Sequence, residues 1–207
     1  MKRSLAASMI FIGLAVAAIV PALRPVKAES SAQAASDPGA DIAAPGDAIR
    51  YCHSKGGEVV QRLPYFNTND DNQQNWLRLG SGRSFCEFTS KKDGSRIHVL
   101  LSTLYSTTPT LAALAYYAKV PYAGNCNGNP ASCYCTQLGG TDLFGGINFN
   151  GGGWVQKNDP VDTVLEACIL PDMSSIDSWG LTYHQANIVR GKNLKGILRY
   201  PDPFSKQ

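Results

Sequence analysis

One arrangement of cysteines and glycines occurs twice in the chain. Each copy has a Tyr-Cys pair, a Gly-Gly pair four residues later, and a second cysteine further on. The copies consist of Tyr51-Cys52, Gly56-Gly57 and Cys86, and of Tyr134-Cys135, Gly139-Gly140 and Cys168. The two cysteines are 34 residues apart in the first copy and 33 in the second. Matched cysteines in two successive segments predict a duplicated unit in which a disulfide holds each copy.

The amino-terminal segment predicts export. Residues 1–28 begin with Lys2 and Arg3, continue as an apolar stretch from Leu5 to Val20, and end in Val26-Lys27-Ala28. This is the pattern of a cleaved secretory signal peptide. The alternative is an uncleaved membrane anchor, because the apolar stretch can be extended to Leu23. The sequence does not separate periplasmic from fully secreted protein.

The charge of the chain changes when this segment is removed. The full sequence has 19 basic and 16 acidic residues, and residues 1–28 hold four of the basic ones and none of the acidic ones. The mature chain would therefore carry a net charge of about −1. We expect no nucleic-acid partner, since the basic character of the full chain belongs mostly to the signal peptide.

The mature chain divides into a leader and two repeats. Residues 29–46 contain one large apolar side chain, Ile42, and predict a flexible leader. We place the first repeat at 47–121 and the second at 122–207. Each repeat is small enough to need a covalent staple, and we expect the two to share one core.

Capping signals predict a helix at the start of each repeat. In the second repeat, Asn129-Pro130 would begin the helix and Gly139-Gly140 would end it. Asp47 and Gly56-Gly57 give a weaker version in the first repeat. A further helix is predicted from Thr108-Pro109, with a weaker counterpart at Asn193 to Tyr200.

Strand signals follow each opening helix and indicate an antiparallel meander. The first repeat has strand candidates at Glu58 to Leu63, Trp76 to Leu79, Ser84 to Phe88 and Ile97 to Leu101. The second has them at Thr141 to Phe144, Trp154-Val155, Val164 to Leu170 and Ile176 to Leu181. The expected fold class is therefore α+β, with two tandem disulfide-pinned repeats that each pack a short helix on a meander with a second helix.

The repeat also predicts the disulfide pairing. Cys52 would pair with Cys86, and Cys135 with Cys168, so that each joins a helix to a strand. Cys133 points away from Cys135 around the helix, and its natural partner is Cys126 in the preceding loop.

The segment from Asn129 to Thr141 resembles the opening of a small bacterial exported domain of unknown function, often labelled as a hemolysin. The shared pattern is Asn-Pro-Ala-Ser, Tyr-Cys, Gly-Gly; Cys168 and Asp177-Ser178-Trp179 are similar to the second half of that family's pattern. The resemblance covers the second repeat and only the cysteine and glycine positions of the first. It transfers no catalytic residue. It implies either membrane damage, from the label, or a binding role, since such domains can occur beside inhibitor-like domains.

The sequence predicts no catalytic, cofactor or metal site. His53, His98 and His184 are isolated, and we expect His53 and His184 at the surface and His98 in a strand. A zinc site made of His184 with Cys126, Cys133 and Cys135 would lack Cys-x-x-Cys spacing. The acidic loop at residues 67–72 lacks the glycine and glutamate of an EF-hand.

A glycine-rich loop provides the weak binding candidates. Phe149 and Trp154 flank Gly151 to Gly153, and aromatic side chains on such a loop are common contact material. Trp154 is equally compatible with a core position. Trp76 and Trp179 are expected in the core.

Three functions remain open at this stage. The first is an exported binding module, with an inhibitor-like module as one form of it, whose partner is a protein or an envelope ligand. The second is an extracytoplasmic hydrolase that uses His184 or His98 with Asp172 or Asp177 between the repeats. The third is a membrane-active protein without stable membrane insertion after signal cleavage.

Overall fold

The structure is a computed structural model that describes residues 46–142 and 150–205. The expected signal peptide, the leader up to residue 45, and the binding candidate Phe149 lie outside these residues. The described residues belong to one compact unit.

Five helices lie in the described ranges. They are α1 (Gly46–Ser54), α2 (Leu101–Tyr105), α3 (Leu111–Ala118), α4 (Pro130–Gln137) and α5 (Ser178–Gln185). A single 3₁₀ turn covers Gln73–Asn75.

Eight strands complete the described elements. They are β1 (Glu58–Phe66), β2 (Leu77–Arg78), β3 (Arg83–Thr89), β4 (Arg96–Leu100), β5 (Gly152–Val155), β6 (Val164–Leu165), β7 (Ala167–Ile169) and β8 (Ser175–Asp177). All of their pairings are antiparallel, which confirms the predicted α+β class.

The sheet returns on itself. Its strand order is β6-β5-β1-β3-β4-β8-β7, with β2 paired to the far end of β1. The two end strands, β6 and β7, are separated in the chain by Glu166 alone. The Glu166 carbonyl accepts a hydrogen bond from the Ser178 N–H at 2.7 Å. One segment of chain therefore closes the sheet, so the sheet has an inner face and an outer face.

The outer face carries the disulfides and packs on the helices. Cys86 lies opposite Val99, Val99 opposite Ile176, and Ile176 opposite Cys168, so the four side chains form one row across the sheet. All four are buried in the larger core cluster together with residues of α1 to α5. Because strand side chains alternate, their neighbours face inward. The inner cluster consists of Phe85, Leu100, Trp154, Leu165 and Ala167.

Three disulfides are present, and their pairing is the one expected from the repeat. They join Cys52 to Cys86, Cys126 to Cys133 and Cys135 to Cys168. Closing loops of 34 and 33 residues stabilises a fold by about 3–4 kcal/mol each in the chain-entropy view. Such bonds are typical of proteins that mature in an oxidising compartment.

The helix starts follow the local signals, with one shift. The Asn129 side chain accepts from the Ala131 N–H at 2.9 Å and Pro130 begins α4, as predicted. The third helix begins after Thr110, which accepts from the Ala113 N–H, and not after Thr108. The Thr108 carbonyl and hydroxyl are engaged by Ser106 in a preceding turn.

Two predicted elements near the carboxyl end are wrong. The strand expected at Ile176 to Leu181 ends at Asp177, because the Asp177 carboxylate accepts from the Gly180 N–H and caps α5. The helix expected at Asn193 to Tyr200 is a series of turns. Gly196 adopts a φ of +76° there, which is incompatible with a continuous right-handed helix.

Gly57 and Gly140 make room for the two matched disulfides. A Cβ at Gly57 would lie within 3.1 Å of both Cys52 and Cys86 Sγ, and one at Gly140 would lie within 2.9 Å of both Cys135 and Cys168 Sγ. No side chain other than hydrogen fits at either position without displacing a disulfide.

We predict that Gly57→Ala and Gly140→Ala each lower the free energy of unfolding by about 1–3 kcal/mol, because the added methyl overpacks the core. Gly80→Ala is the matched control, since a Cβ there meets nothing within 4 Å. Urea unfolding measures the three variants. Equal stability of all three would contradict the close packing of glycine on disulfide.

Candidate functional site

Arg62 lies at the centre of a buried cluster of charges on the inner face of the sheet. Its side chain is fully buried and donates to Asp159 Oδ2 at 2.9 Å and to the Asp162 carbonyl at 2.6 Å. Burial lowers the pKa of Arg62, and the Asp159 carboxylate opposes that effect. A charge this deep is tolerated only when it is paired and hydrogen-bonded.

Asp159 connects Arg62 to a second arginine. Arg96 Nη1 lies 2.9 and 2.8 Å from the two carboxylate oxygens of Asp159. Burial alone would raise the pKa of Asp159, but the backbone N–H groups of Asp162 and Val161 and the Arg96 guanidinium hold it well below its usual range. Asp159 is therefore a fixed anion between two cations.

His98 joins the cluster from β4 and is 1% exposed. Its Nε2 lies 2.8 Å from Glu87 Oε2 and 3.2 Å from Arg62 Nη2. Arg62 can only donate, so the proton on His98 Nε2 is directed to the Glu87 carboxylate. Burial would raise the pKa of Glu87, but the hydrogen bond and charge of His98, together with Arg96 and Thr89, outweigh it and the pKa is lowered.

The other side of the His98 ring faces Asp177. His98 Nδ1 lies 3.9 Å from Asp177 Oδ2, and the same oxygen accepts the His98 backbone N–H at 2.6 Å. Burial raises the pKa of Asp177, and the charge of His98 opposes this. Asp177 therefore does two things at once: it caps α5 and it holds β4 beside β8.

Glu166 has one satisfied oxygen and one without a partner. Oε1 accepts from the Asn129 amide at 2.5 Å, whereas Oε2 is buried and has no hydrogen-bond partner. Burial raises the pKa of Glu166, and the charges of Asp142 and Asp177 raise it further. Hydrogen bonds from the Asn129 and Trp179 side chains act in the opposite direction and do not cancel these effects.

Part of this cluster borders an open cleft of about 530 Å³. Arg96, His98 and Asp177 belong to its charged side, and Glu166 lies beside them at the junction of β6 and β7. An aromatic and apolar wall of the cleft contains Trp179, Tyr183, Ile188 and Val189 with Arg190. Arg190 lies over the Tyr183 ring, 5.5 Å from its centroid. The cleft thus combines a rigid ionic floor with an exposed apolar wall.

Of the residues expected to form a contact surface, Trp154 lies in the interior. It is 5% exposed and packs edge to face on Phe85, with ring centroids 5.7 Å apart. Trp179, expected in the core, is instead half-buried and lines the cleft. The Asp177-Ser178-Trp179 motif marked this place in the sequence, but nothing there indicated that residues 188–190 would lie opposite it.

The surface position expected for His184 is wrong. His184 is 5% exposed and not a surface residue; its ring stacks on Tyr116 with centroids 3.6 Å apart. No carboxylate within the described ranges lies at ion-pair distance from His184. Asp172 is used elsewhere: it accepts from the Leu111 N–H at 2.7 Å and from Ser174, and so holds the start of α3.

Comparisons with known proteins found no relative of this chain. No protein-family model matches the chain, and no match was found among curated proteins or solved structures. In the parts of the chain that the structure describes, no helix is long and apolar enough to cross a membrane. The same parts contain no cluster of three or more His, Cys, Asp or Glu side chains that could hold a metal ion.

We predict that Arg62→Ala lowers the free energy of unfolding by about 3–5 kcal/mol, because it leaves Asp159 and Glu87 as buried anions without a central cation. Arg50→Ala is the control, since Arg50 is paired with Asp47 at the exposed surface, where such pairs contribute less than about 1 kcal/mol. Denaturant unfolding at neutral pH compares the two. A similar small loss for both would show that the cluster is not essential to the fold.

We predict that the burial of His184 lowers the free energy of unfolding in acid. Burial, with a smaller effect of Lys119, lowers the pKa of His184 from 6.5 to about 4. Between these values the unfolded chain binds a proton that the folded chain does not, so the free energy of unfolding falls as the pH decreases, by about 3 kcal/mol. His184→Phe keeps the stack on Tyr116 and should remove this part of the pH dependence. His53→Gln, at an exposed position of α1, should leave it unchanged. An unaltered pH profile in His184→Phe would contradict the prediction.

Proposed function

We propose that the protein is an exported binding module whose ligand occupies the cleft between the ionic cluster and α5. The cleft itself is the observation that carries this proposal. Its floor is fixed by buried, mutually paired charges, so little entropy is lost there on binding. Its wall exposes Tyr183, Ile188 and Val189 by 37%, 50% and 44%. Aromatic and arginine side chains around a preformed depression are typical of binding sites.

Export is supported by two independent features. Residues 1–28 have the pattern of a signal peptide. Three disulfides suit a compartment in which thiols stay oxidised. The partner would then be a protein or another component of the cell envelope or its surroundings.

The proposed module consists of two related halves. The Gly57 N–H donates to the Cys52 carbonyl at 3.0 Å, and the Gly140 N–H donates to the Cys135 carbonyl at 2.9 Å. Each glycine then touches the disulfide of its own half. In each half the strand cysteine pairs with a residue of the next strand, which is Val99 in one half and Ile176 in the other. These equivalent contacts favour a duplicated unit.

The two halves would meet where β4 pairs with β8. Val99 and Ile176 are directly opposite each other in that pairing. The cleft lies beside it, with β4 supplied by the first half and α5 by the second. A ligand there would contact both halves, which gives a reason for the module to contain two.

Hydrolysis is a second function with a specific observation behind it. Glu87 orients His98 through Nε2, and Nδ1 is left without a hydrogen-bond partner among the described residues at the edge of the cleft. This resembles the way a carboxylate orients a catalytic imidazole. Ser95, the serine at this cleft, donates to Asp93 and accepts from the Gly191 N–H, and it is not bonded to His98. Binding is therefore the better supported function. The membrane activity implied by the family resemblance stays a prediction.

We predict that the double variant Tyr183→Ala/Val189→Ala loses at least tenfold in affinity for a partner isolated from envelope or host extracts with the mature wild-type protein, a loss of about 1.4 kcal/mol or more. The control is Leu77→Ala, which removes a side chain 61% exposed on β2, outside the residues that line the cleft. Surface plasmon resonance with the isolated partner measures all three proteins.

Equal affinity of the double variant and the control would place the ligand outside the cleft. Turnover of an ester or amide substrate by the wild type, abolished in His98→Ala and retained in Leu77→Ala, would instead favour the hydrolase.

A further inference from the structure

The cleft has an excess of negative charge. Six charged side chains line it in addition to His98: Asp93, Arg96, Asp162, Glu166, Asp177 and Arg190. Four are acids and two are arginines. Arg96 is already bound to both oxygens of Asp159 and lies 3.5 Å from Glu87 Oε1. Arg190 lies against Tyr183, and its charge lowers the pKa of the neighbouring Asp177. Neither arginine forms an ion pair with Glu166.

The position of Glu166 follows from the closure of the sheet. Leu165 and Ala167 both belong to the inner core cluster, one on each side of Glu166. Because side chains alternate along the chain here, the Glu166 side chain points away from this core cluster; it contacts Asn129 and lines the cleft. Its buried Oε2 has no partner among the described residues. The Glu166 side chain as a whole is half-buried and lines the cleft, so a cation in the cleft can approach its carboxylate.

The wall beside Glu166 favours a cation as well. Trp179 and Tyr183 lie one helical turn apart on α5, with ring centroids 5.7 Å apart. Aromatic faces attract ammonium and guanidinium groups, most strongly when these are partly desolvated. Ile188 and Val189 extend the same wall with exposed apolar surface. The wall therefore complements a charged nitrogen that is carried on an apolar stem.

We infer that the ligand of the cleft presents an amine or guanidinium group on an apolar stem, and that Glu166 receives this group beside Trp179. The inference rests on the proposed function and names the chemistry of its ligand. A basic side chain of a partner protein and a free arylalkyl amine share this chemistry.

The raised pKa of Glu166 couples this binding to pH. The pKa of Glu166 is raised above 4.5 in the empty protein, mainly by burial. A bound cation favours the ionised carboxylate and so releases the proton. Affinity for the cation therefore falls as the pH is lowered through the raised pKa of Glu166, whereas a neutral ligand shows no such loss.

The experiment follows the indole N–H signal of Trp179 in ¹H–¹⁵N NMR spectra of the mature, oxidised protein at neutral pH. The cationic probes are phenethylamine and the peptide acetyl-Leu-Arg-Leu-amide; the matched probes are phenethyl alcohol and 3-phenylpropanoate. We expect at least one of the two cationic probes to shift this signal. The concentration needed should be at least fivefold lower than for the matched neutral and anionic probes. A shift by the peptide alone indicates a protein partner, and a shift by the amine alone indicates a small molecule.

Glu166→Gln is the decisive variant, since the amide oxygen can still accept from Asn129. It should weaken cation binding at least tenfold, whereas Glu58→Gln, at an exposed position of β1, should leave it unchanged. Dispersed spectra of both variants establish that they are folded. The cation inference is overturned if the neutral or anionic probe binds more tightly than the cations, or if Glu166→Gln leaves cation binding unchanged. In either case a shift of the Trp179 signal still supports the cleft as the ligand site. No shift with any probe overturns the inference as well, and the proposed function is then decided by the partner isolated with the wild-type protein.

Discussion

The fold depends on one buried positive charge. Arg62 lies fully inside the closed sheet, and the carboxylates of Asp159 and Glu87 lie 2.9 and 3.8 Å from its guanidinium. Without this cation the interior would hold two buried anions with Arg96 as their remaining arginine partner, a loss that is large beside the total stability of a small domain. With it, the same carboxylates fix Arg96 and His98 on β4. The rigid floor of the cleft is thus a consequence of how the protein tolerates charge in its core.

The disulfides act on the opposite face of the same sheet. Each matched pair fastens a helix over a glycine that leaves space for the two sulfur atoms. The helices then cover the outer face, and the inner face is left to the ionic cluster and a small apolar core. The strands β4 and β8 pair at Val99 and Ile176, whose side chains pack in the outer core cluster. Covalent links outside and paired charges inside therefore hold the same central strands from two directions.

Local signals in the sequence predict the parts of the fold that are local. The arrangement of the cysteines predicts all three disulfides, because the cysteines are matched between the two copies or close in the chain. Asn129-Pro130 predicts the start of α4, because a helix cap is set by residues that are adjacent in sequence. The predicted strand from Ile176 runs too far, because the Asp177 carboxylate ends it by capping α5, which alternation of apolar residues does not reveal. His184 was misplaced since its stacking partner, Tyr116, is distant in sequence.

The candidate site was not predictable from these signals. Arg62 and Asp159 are 97 residues apart, and Arg62 and His98 are 36 apart. An isolated arginine in a strand pattern reads as a surface residue until the closure of the sheet is known. Trp179 belongs to a sequence motif, but its place at a cleft depends on the segment 188–190 and on Glu166 at the junction of β6 and β7. Topology, not local pattern, assembles this site.

The most direct measurement is the protonation pattern of the His98 ring in ¹⁵N NMR spectra of histidine-labelled mature protein. A proton held on Nε2, protected from solvent and hydrogen-bonded to Glu87, is expected if the buried cluster organises the cleft. An Nε2 that carries no proton, or a ring whose protons exchange freely with water, would contradict it.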